Sequence, residues 1–355
     1  MTVAYLNAIG TAVPGHDIHQ AFIDWAEAQV TDARDRRLFA RMAGRSGIRH
    51  RWSVLPPTPA GGSPVAMGGF YGEGAAPGTG ARMAIYAEAA PALALRAVDA
   101  LGEQVALEGV THLIVASCTG FVAPGIDQII AERLGLPGST ERLLVGFMGC
   151  YAAVAALRQA RHVVRSEPAA RVLVICVELS TLHLQAETAI EPLLAMLQFG
   201  DGAAAALVSA EAEGLALERP FATTLPESAE LIRWTITDAG FAMHLSGEVP
   251  ARIAAGLGDA AFRHAATGGR DPAEVDGWAV HAGGRSILDA VEGALALGQG
   301  ALAESRAVLA DNGNMSSATL MFVLERMLAR RVANGVALAF GPGLAAEGFG
   351  FRSAA

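Results

Sequence analysis

From residue 112 onward, short and almost wholly apolar runs alternate with stretches of helical spacing, and this alternation constrains the fold more than any other feature. HLIVAS (112–117), LLVGF (143–147), RVLVICVEL (171–179) and AAAALVS (203–209) are strand-like. Between them the pattern predicts a helix over 124–135, opened by Pro124 and stopped near Gly135, and a long Ala-rich helix beginning around Cys150. Strand–helix alternation of this kind implies an α/β fold with largely parallel pairing.

The pattern restarts near residues 210–235. GWAVHAG (277–283) reads as strand then turn, 285–297 as helix, 314–331 as a helix with a polar start, and GVALAFG (335–341) and GFGFRS (348–353) as closing strands. Each half carries a strand, a tight turn and a helix whose first turn bears a reactive or polar residue. That suggests two related halves, 1–215 and 216–355. Upstream, the Pro- and Gly-rich residues 56–81 are expected to form a long irregular loop, followed by a helix over 82–108.

The net charge of −9 argues against a general nucleic-acid or anionic-membrane binder. Three cysteines, Cys118, Cys150 and Cys176, are too few and too odd in number for a disulfide framework, and no Cys/His spacing suits zinc. The first residues have no basic region followed by an apolar core, and no apolar run approaches the length of a membrane span. These features together lead us to expect a cytoplasmic protein without a leader.

Three residues carry chemistry on their position. Cys150, in LLVGFMGCYAAVAAL, follows a strand and a Gly-bearing turn and is expected to open a helix, where the helix start would lower its pKa. The competing reading is an inert buried cysteine. His281, in GWAVHAGGRSILD, ends an apolar strand beside two glycines, and on its own reads as well as a core histidine. Asn314, in DNGNMSSATLMF, precedes a helix and could cap it or donate to an oxyanion.

Taken in order, these segments resemble the type III polyketide synthases, the chalcone-synthase-like family of the thiolase fold. GFMGCYAAVAALR is similar to the nucleophile segment of that family, QFGDGAAAALV (198–208) to its phenylalanine segment, and WAVHAGGRSILD and DNGNMSSATLMFVLE to its His and Asn segments. AFGPGLAAEGF and RMAGRSGIRHR (41–51) resemble its C-terminal loop and its N-terminal basic segment. The resemblance implies an αβαβα layered fold and a homodimer. It implies Cys150 as acyl carrier, with His281 pairing with the thiol. His281 and Asn314 would together hold the thioester oxygen of malonyl-CoA during decarboxylation. It also implies Phe199 as a gate between the CoA tunnel and the reaction cavity, and Arg41, Arg45 and, with less support, Arg37 as contacts for the CoA phosphates. Acyl-CoA and malonyl-CoA are then substrates, and no cofactor or metal is expected.

Several positions depart from the plant pattern. Met243 stands where a second gating phenylalanine is usual, and Trp234 near a usual glycine. Cys118 and His183 replace Thr or Ser, Arg285 stands at a common proline near the CoA entrance, and Ala339 replaces the first glycine of the C-terminal loop. By resemblance, Cys118, His183, Trp234, Met243, Phe199, Ser316, Gly341 and Pro342 would line the substrate cavity. The pocket suggests a fatty acyl-CoA starter and an alkylpyrone or alkylresorcinol product. The alternatives are an aromatic or malonyl starter, and a single-condensation ketoacyl-carrier-protein synthase of the initiating type.

Overall fold

The computed structural model describes residues 2–72 and 76–355. Its longer strands are β1 (Tyr5–Ala12), β2 (His112–Ser117), β3 (Glu141–Gly146), β4 (Val172–Leu179), β5 (Asp201–Ser209) and β6 (Leu215–Thr224). A separate hairpin follows, β7 (Ile232–Thr237) and β8 (Gly240–Leu245), and then β9 (Gly277–Val280), β10 (Gly335–Gly341) and β11 (Ala345–Ser353). Outside the hairpin these strands form one nine-stranded sheet in the order β9-β10-β11-β6-β1-β5-β4-β2-β3. The two halves join where β1 meets β6 over a short register, Tyr5 opposite Ala216 and Leu6 opposite Leu215.

The sheet is mixed, contrary to the expectation of largely parallel pairing. Parallel neighbours are β2 with β3, β2 with β4, and β9 with β10. The pairs β1–β5, β4–β5, β1–β6, β6–β11 and β10–β11 are antiparallel. Alternation along the chain reveals crossovers but not which strands end up adjacent. A strand covered on both faces is apolar throughout in either direction, so its residues do not report its partner's orientation.

Burial along single strands explains the layers. In β4, Val172, Val174 and Cys176 face a central core, while Leu173, Ile175 and Val177 face an outer one. In β10, Ala337 and Ala339 face that same central core, and Val336, Leu338 and Phe340 face the opposite outer one. This is the period of two of a pleated strand, with both faces covered. The central core is filled by the helices Ala152–Ser166 and Ser317–Leu328. The first of these is Ala-rich on its buried side (Ala152, Ala153, Ala155, Ala156 and Ala160), which lets it lie close between the two halves. The helix Thr79–Gly102 covers the outer face of the first half, and Val249–Gly258 with Arg285–Ala294 cover that of the second. The result is the αβαβα layering expected of the thiolase fold.

Element boundaries moved modestly. The expected helix 82–108 runs Thr79–Gly102, so the irregular segment ends sooner than residue 81. Residues 56–72 are turns, and residues 73–75 of that expected loop lie outside the described residues. The helix 124–135 is Ile126–Arg133, 285–297 is Arg285–Ala294, and 314–331 is Ser317–Leu328. No described helix is long and apolar enough to cross a membrane. Among the described residues no group of three or more His, Cys, Asp or Glu side chains could hold a metal ion.

Candidate active site

The nucleophile candidate sits on a turn fixed from two sides. After β3 the chain reaches Gly149, whose φ is +69°, and Gly149–Tyr151 makes one 3-10 turn before the helix starts at Ala152. A Cβ on Gly149 would lie 2.3 Å from Pro342 Cδ, so the position needs glycine both for its backbone and for the close approach of the β10–β11 turn. From the other side, the Gly149 N–H donates to Cys118 Sγ at 2.9 Å. Cys118 was expected to line the substrate cavity. It stands in the wall of none of the three cavities described below, because its sulfur is turned to the backbone beneath the nucleophile.

The expected lowering of the Cys150 pKa is reversed. The residue lies two positions before the α-helix, inside the 3-10 turn, and burial pushes its thiol up to about 12. Ser316 and Asn314, near the sulfur, pull in the opposite direction, while the charge of Glu178 raises it further. Desolvation outweighs the helix start.

His281 follows β9 and extends its pairing, donating its N–H to Leu338 O at 2.8 Å. The imidazole is 1% exposed, and neither ring nitrogen has a hydrogen-bond partner. Burial pushes it down to about 3, so it is neutral. A buried ring with both nitrogens unengaged is available as a donor or a proton acceptor.

Asn314 does not cap the following helix. Its Oδ1 accepts from Ser316 N at 2.8 Å, and its Nδ2 donates to Gly283 O at 3.2 Å, beside His281. With Oδ1 committed to a backbone N–H, the second Nδ2 proton remains for a substrate oxygen. The backbone of Asn314 bridges Phe199: Asn314 N donates to Gln198 O at 2.7 Å and Gly200 N to Asn314 O at 3.0 Å. That bridge ties the expected gate to the expected oxyanion donor. Ser316 has φ +48°, a strained value for a non-glycine residue, and its hydroxyl is wholly buried near the Cys150 sulfur.

These residues converge. Cys150, His281 and Asn314 line one cavity of about 510 Å³, together with Phe199, Gly341 and Pro342. Trp234 and Met243, directly opposite each other on the β7–β8 hairpin, complete one wall. A groove of about 1760 Å³ carries Arg41, Arg45 and Arg285, and it shares Leu245, Val249, Gly283 and Ile287 with the Cys150 cavity. Arg41 lies in the helix Ala33–Ala43 and Arg45 just beyond its end, so one helix face does not carry both, yet both reach the groove. Arg285 donates to Arg45 O at 3.1 Å and stands 3.5 Å from Asp289. Arg37 is exposed and does not line the groove.

His183 lines a third cavity, behind Phe199, Trp234 and Met243, rather than the one containing Cys150. Its ring is neutral, pushed down to about 4 by burial. Nε2 stands 2.7 Å from Thr119 O, and Nδ1 accepts from Phe241 N at 3.1 Å.

The sequence reading passed over Glu178. Its carboxylate, wholly buried in β4, accepts from Cys118 N at 2.9 Å, Thr119 Oγ1 at 2.9 Å and Ser317 Oγ at 2.6 Å. Burial pushes it up to about 7, against the pull of those donors. It links the strand below Cys118 to the helix that follows Asn314. A lone glutamate inside the otherwise apolar RVLVICVEL was the available signal.

Comparison with known proteins identifies the family. Residues 2–212 match the family model described as chalcone and stilbene synthases, N-terminal domain, and residues 216–355 match the C-terminal domain of the same family. The chain belongs to the chalcone and stilbene synthase family. It is a type III polyketide synthase, a decarboxylative condensing acyltransferase. The Mycobacterium tuberculosis protein described as alpha-pyrone synthesis polyketide synthase-like Pks18 is 32% identical, over 99% of this chain and 91% of its own length, and the Mycobacterium bovis protein of the same description matches equally. Among solved structures, PKS-I from the brown alga Ectocarpus siliculosus superposes with a TM-score of 0.87 at 29% identity, covering 99% of both chains. The C-terminal type III polyketide synthase domain of Steely1 from Dictyostelium shares the fold, with a TM-score of 0.89 at 23% identity over 99% of this chain and 100% of that one.

Proposed function

We propose that this polyketide synthase loads a fatty acyl group from coenzyme A onto Cys150, extends it repeatedly with malonyl-CoA and releases an alkylpyrone or alkylresorcinol. The single observation carrying the proposal is that Cys150, His281 and Asn314 line one cavity joined to an arginine-bearing groove. In loading, His281 takes the thiol proton, sulfur attacks the acyl carbonyl, and CoA leaves after receiving that proton. Malonyl-CoA then enters by the same groove, where Arg41, Arg45 and Arg285 hold the CoA phosphates. Its carboxylate departs as CO2, and the electron pair of the broken bond passes into the thioester. His281 and the free Nδ2 proton of Asn314 hold the resulting enolate oxygen. The enolate carbon attacks the Cys150 thioester, the C–S bond breaks, and the chain leaves on CoA two carbons longer, ready to reload.

The pyrone outcome draws on the described activity of the mycobacterial relative, alpha-pyrone synthesis. We also divide the chain near residue 215, in line with the bounds of the two family models. We assign a homodimer as well. The terminal strand β3 exposes Leu143 and Leu144, each 44% accessible, and the nearby loops expose Phe121 and Phe147, an apolar edge suited to a second copy. Light scattering giving the mass of one chain would contradict that assignment.

The function is tested by incubating the protein with dodecanoyl-CoA and malonyl-CoA and analysing products by mass spectrometry. The expected products are cyclised chains carrying two or more added acetate units. A product extended only once, or free dodecanoic acid without malonyl-CoA consumption, would sink the proposal.

A further inference from the structure

The basic segment RMAGRSGIRHR ends on Arg51, and this arginine has no place in the groove that Arg41 and Arg45 line. It is 1% exposed. We infer that Arg51 is a positioning residue for malonyl-CoA decarboxylation: through a single peptide unit it fixes where Asn314 stands against the enolate oxygen. The inference rests on the reading of Asn314 as an oxyanion donor and adds what holds that residue in place.

The peptide unit is the one that joins Phe199 to Gly200. Its carbonyl accepts from Arg51 Nη1 at 2.8 Å, and its N–H donates to Asn314 O at 3.0 Å. In a planar trans peptide these two groups point in opposite directions, so a shift at one is carried to the other. Arg51 Nη1 also donates to Met196 O at 3.1 Å, and Nε to His19 Nδ1 at 3.0 Å. The guanidinium carbon stands 4.6 Å from the centre of the Phe22 ring, on the helix His19–Gln29. The side chain is thus held at His19 and Phe22 while it grips the Phe199 carbonyl.

A second contact reaches Asn314 along its own chain. Gly313 has φ +68°, and a Cβ there would lie 2.8 Å from Arg51 Cγ and 2.8 Å from Gln198 O. The turn before Asn314 is therefore seated directly on the arginine stem and depends on glycine. The neighbours of Arg51 hold the same turn. His50 N donates to Ala310 O at 3.1 Å, and Trp52 Nε1 donates to Asp311 O at 3.0 Å and to Asn312 Oδ1 at 3.1 Å. Arg51 differs from these neighbours in that its side chain reaches the Phe199 carbonyl.

The chemistry of the side chain suits the task. Burial pulls the guanidinium down to about 9, and the charges of Asp17 and Asp201 push it back up, so it stays charged near neutral pH. A charged donor bonds a carbonyl more strongly than a neutral one, and the planar guanidinium sets direction as well as distance. Lysine would supply the charge without the fork. Arg51 also lines the third cavity, and its Nη2 is without a partner. The rival role is therefore direct contact with a bound substrate.

The test measures conversion of malonyl-CoA to acetyl-CoA, and alkylation of Cys150 by iodoacetamide, in Arg51→Met, Arg51→Lys, Asn314→Ala and the double variant Arg51→Met with Asn314→Ala. Displacing a positioned group by about 1 Å costs on the order of 10²-fold in rate, so Arg51→Met should lower kcat for decarboxylation about 10²-fold, with KM within about threefold of the parent. Arg51→Lys should recover about tenfold of that loss, and it decides the case if Arg51→Met does not fold by circular dichroism. Alkylation should stay within about twofold of the parent in both, because the partner of the thiol, His281, is held by β10 and not by Arg51. The double variant should fall within about threefold of Asn314→Ala alone, since a residue acting through Asn314 then has nothing left to position. An unchanged kcat overturns the inference, and so do losses that multiply in the double variant. Parallel loss of alkylation and decarboxylation, or loss of fold in both Arg51 variants, marks a merely structural role and overturns it too. A raised KM at unchanged kcat makes Arg51 a substrate contact instead. If Asn314→Ala is impaired and the folded Arg51 variants are not, only this inference fails. If Asn314→Ala decarboxylates at the parental rate, the oxyanion-donor reading fails and this inference falls with it.

Discussion

Cys150→Ala loses all polyketide formation, by a factor of about 10³ or more, while release of CO2 from malonyl-CoA persists within about tenfold of the parent. The two halves of the reaction use different atoms. Chain growth needs a sulfur to carry the acyl group, and the other cysteines cannot substitute. Cys118 has its sulfur on Gly149, and Cys176 is wholly buried within β4. Decarboxylation needs donors at the enolate oxygen, and in the proposed mechanism those are His281 and Asn314. Each is also held by contacts from elsewhere in the protein: His281 by β10, and Asn314 by Ser316, Gly283 and the bridge to Phe199. Removing the sulfur therefore leaves the oxyanion donors in place. The assays are intact-protein mass spectrometry, which should show the acyl adduct on the parent alone, and conversion of malonyl-CoA to acetyl-CoA. If both activities vanish together in a folded variant, the sulfur and the donors are not separable and the assignment of Asn314 fails. If polyketide formation survives, Cys150 is not the carrier.

The elements that sequence made legible are those buried on both faces. β2, β4, β5 and β10 are near-continuous apolar runs, and β10 came out at the expected residues. Less legible were elements whose partners are distant in sequence. The β7–β8 hairpin carries Arg233, Thr235 and His244 beside Trp234 and Met243, a mixture that resembles loop until the cavity supplies a reason for the apolar pair. Strand direction was hidden for the reason given by β4, which is buried on both faces. At the site, the convergence of Cys150, His281 and Asn314 followed from motif order. The electrostatics did not, because position at a helix start is local whereas desolvation depends on everything that encloses the sulfur. Cys118 and His183 were placed in one cavity on resemblance. A residue's place in sequence could not tell that one would bond the Gly149 backbone amide and the other would stand behind Phe199, Trp234 and Met243.

His281→Gln slows alkylation of Cys150 by iodoacetamide at neutral pH by about 10²-fold or more, and the midpoint of its pH dependence moves upward. The sign follows from the surroundings of the thiol. Burial raises Cys150 to about 12, so without a proton acceptor a negligible fraction is ionised near neutrality. A neighbouring imidazole changes that balance, because the proton leaving sulfur is retained next to it as imidazolium. Two opposite charges about 4 Å apart attract by about 4 kcal/mol at an effective dielectric constant of 20. Burial works against the imidazolium too, holding His281 down to about 3. The closed resting site thus favours thiol and neutral imidazole, and the pair becomes reactive as the proton crosses. Glutamine retains an N–H donor but cannot accept that proton, so it separates the two tasks of His281. Its alkylation profile should rise only at high pH, while its malonyl-CoA decarboxylation should fall less than its acyl loading. Identical alkylation profiles for parent and variant would mean that the thiol ionises independently of the imidazole, and the turn at Gly149–Tyr151 alone would then have to stabilise the thiolate.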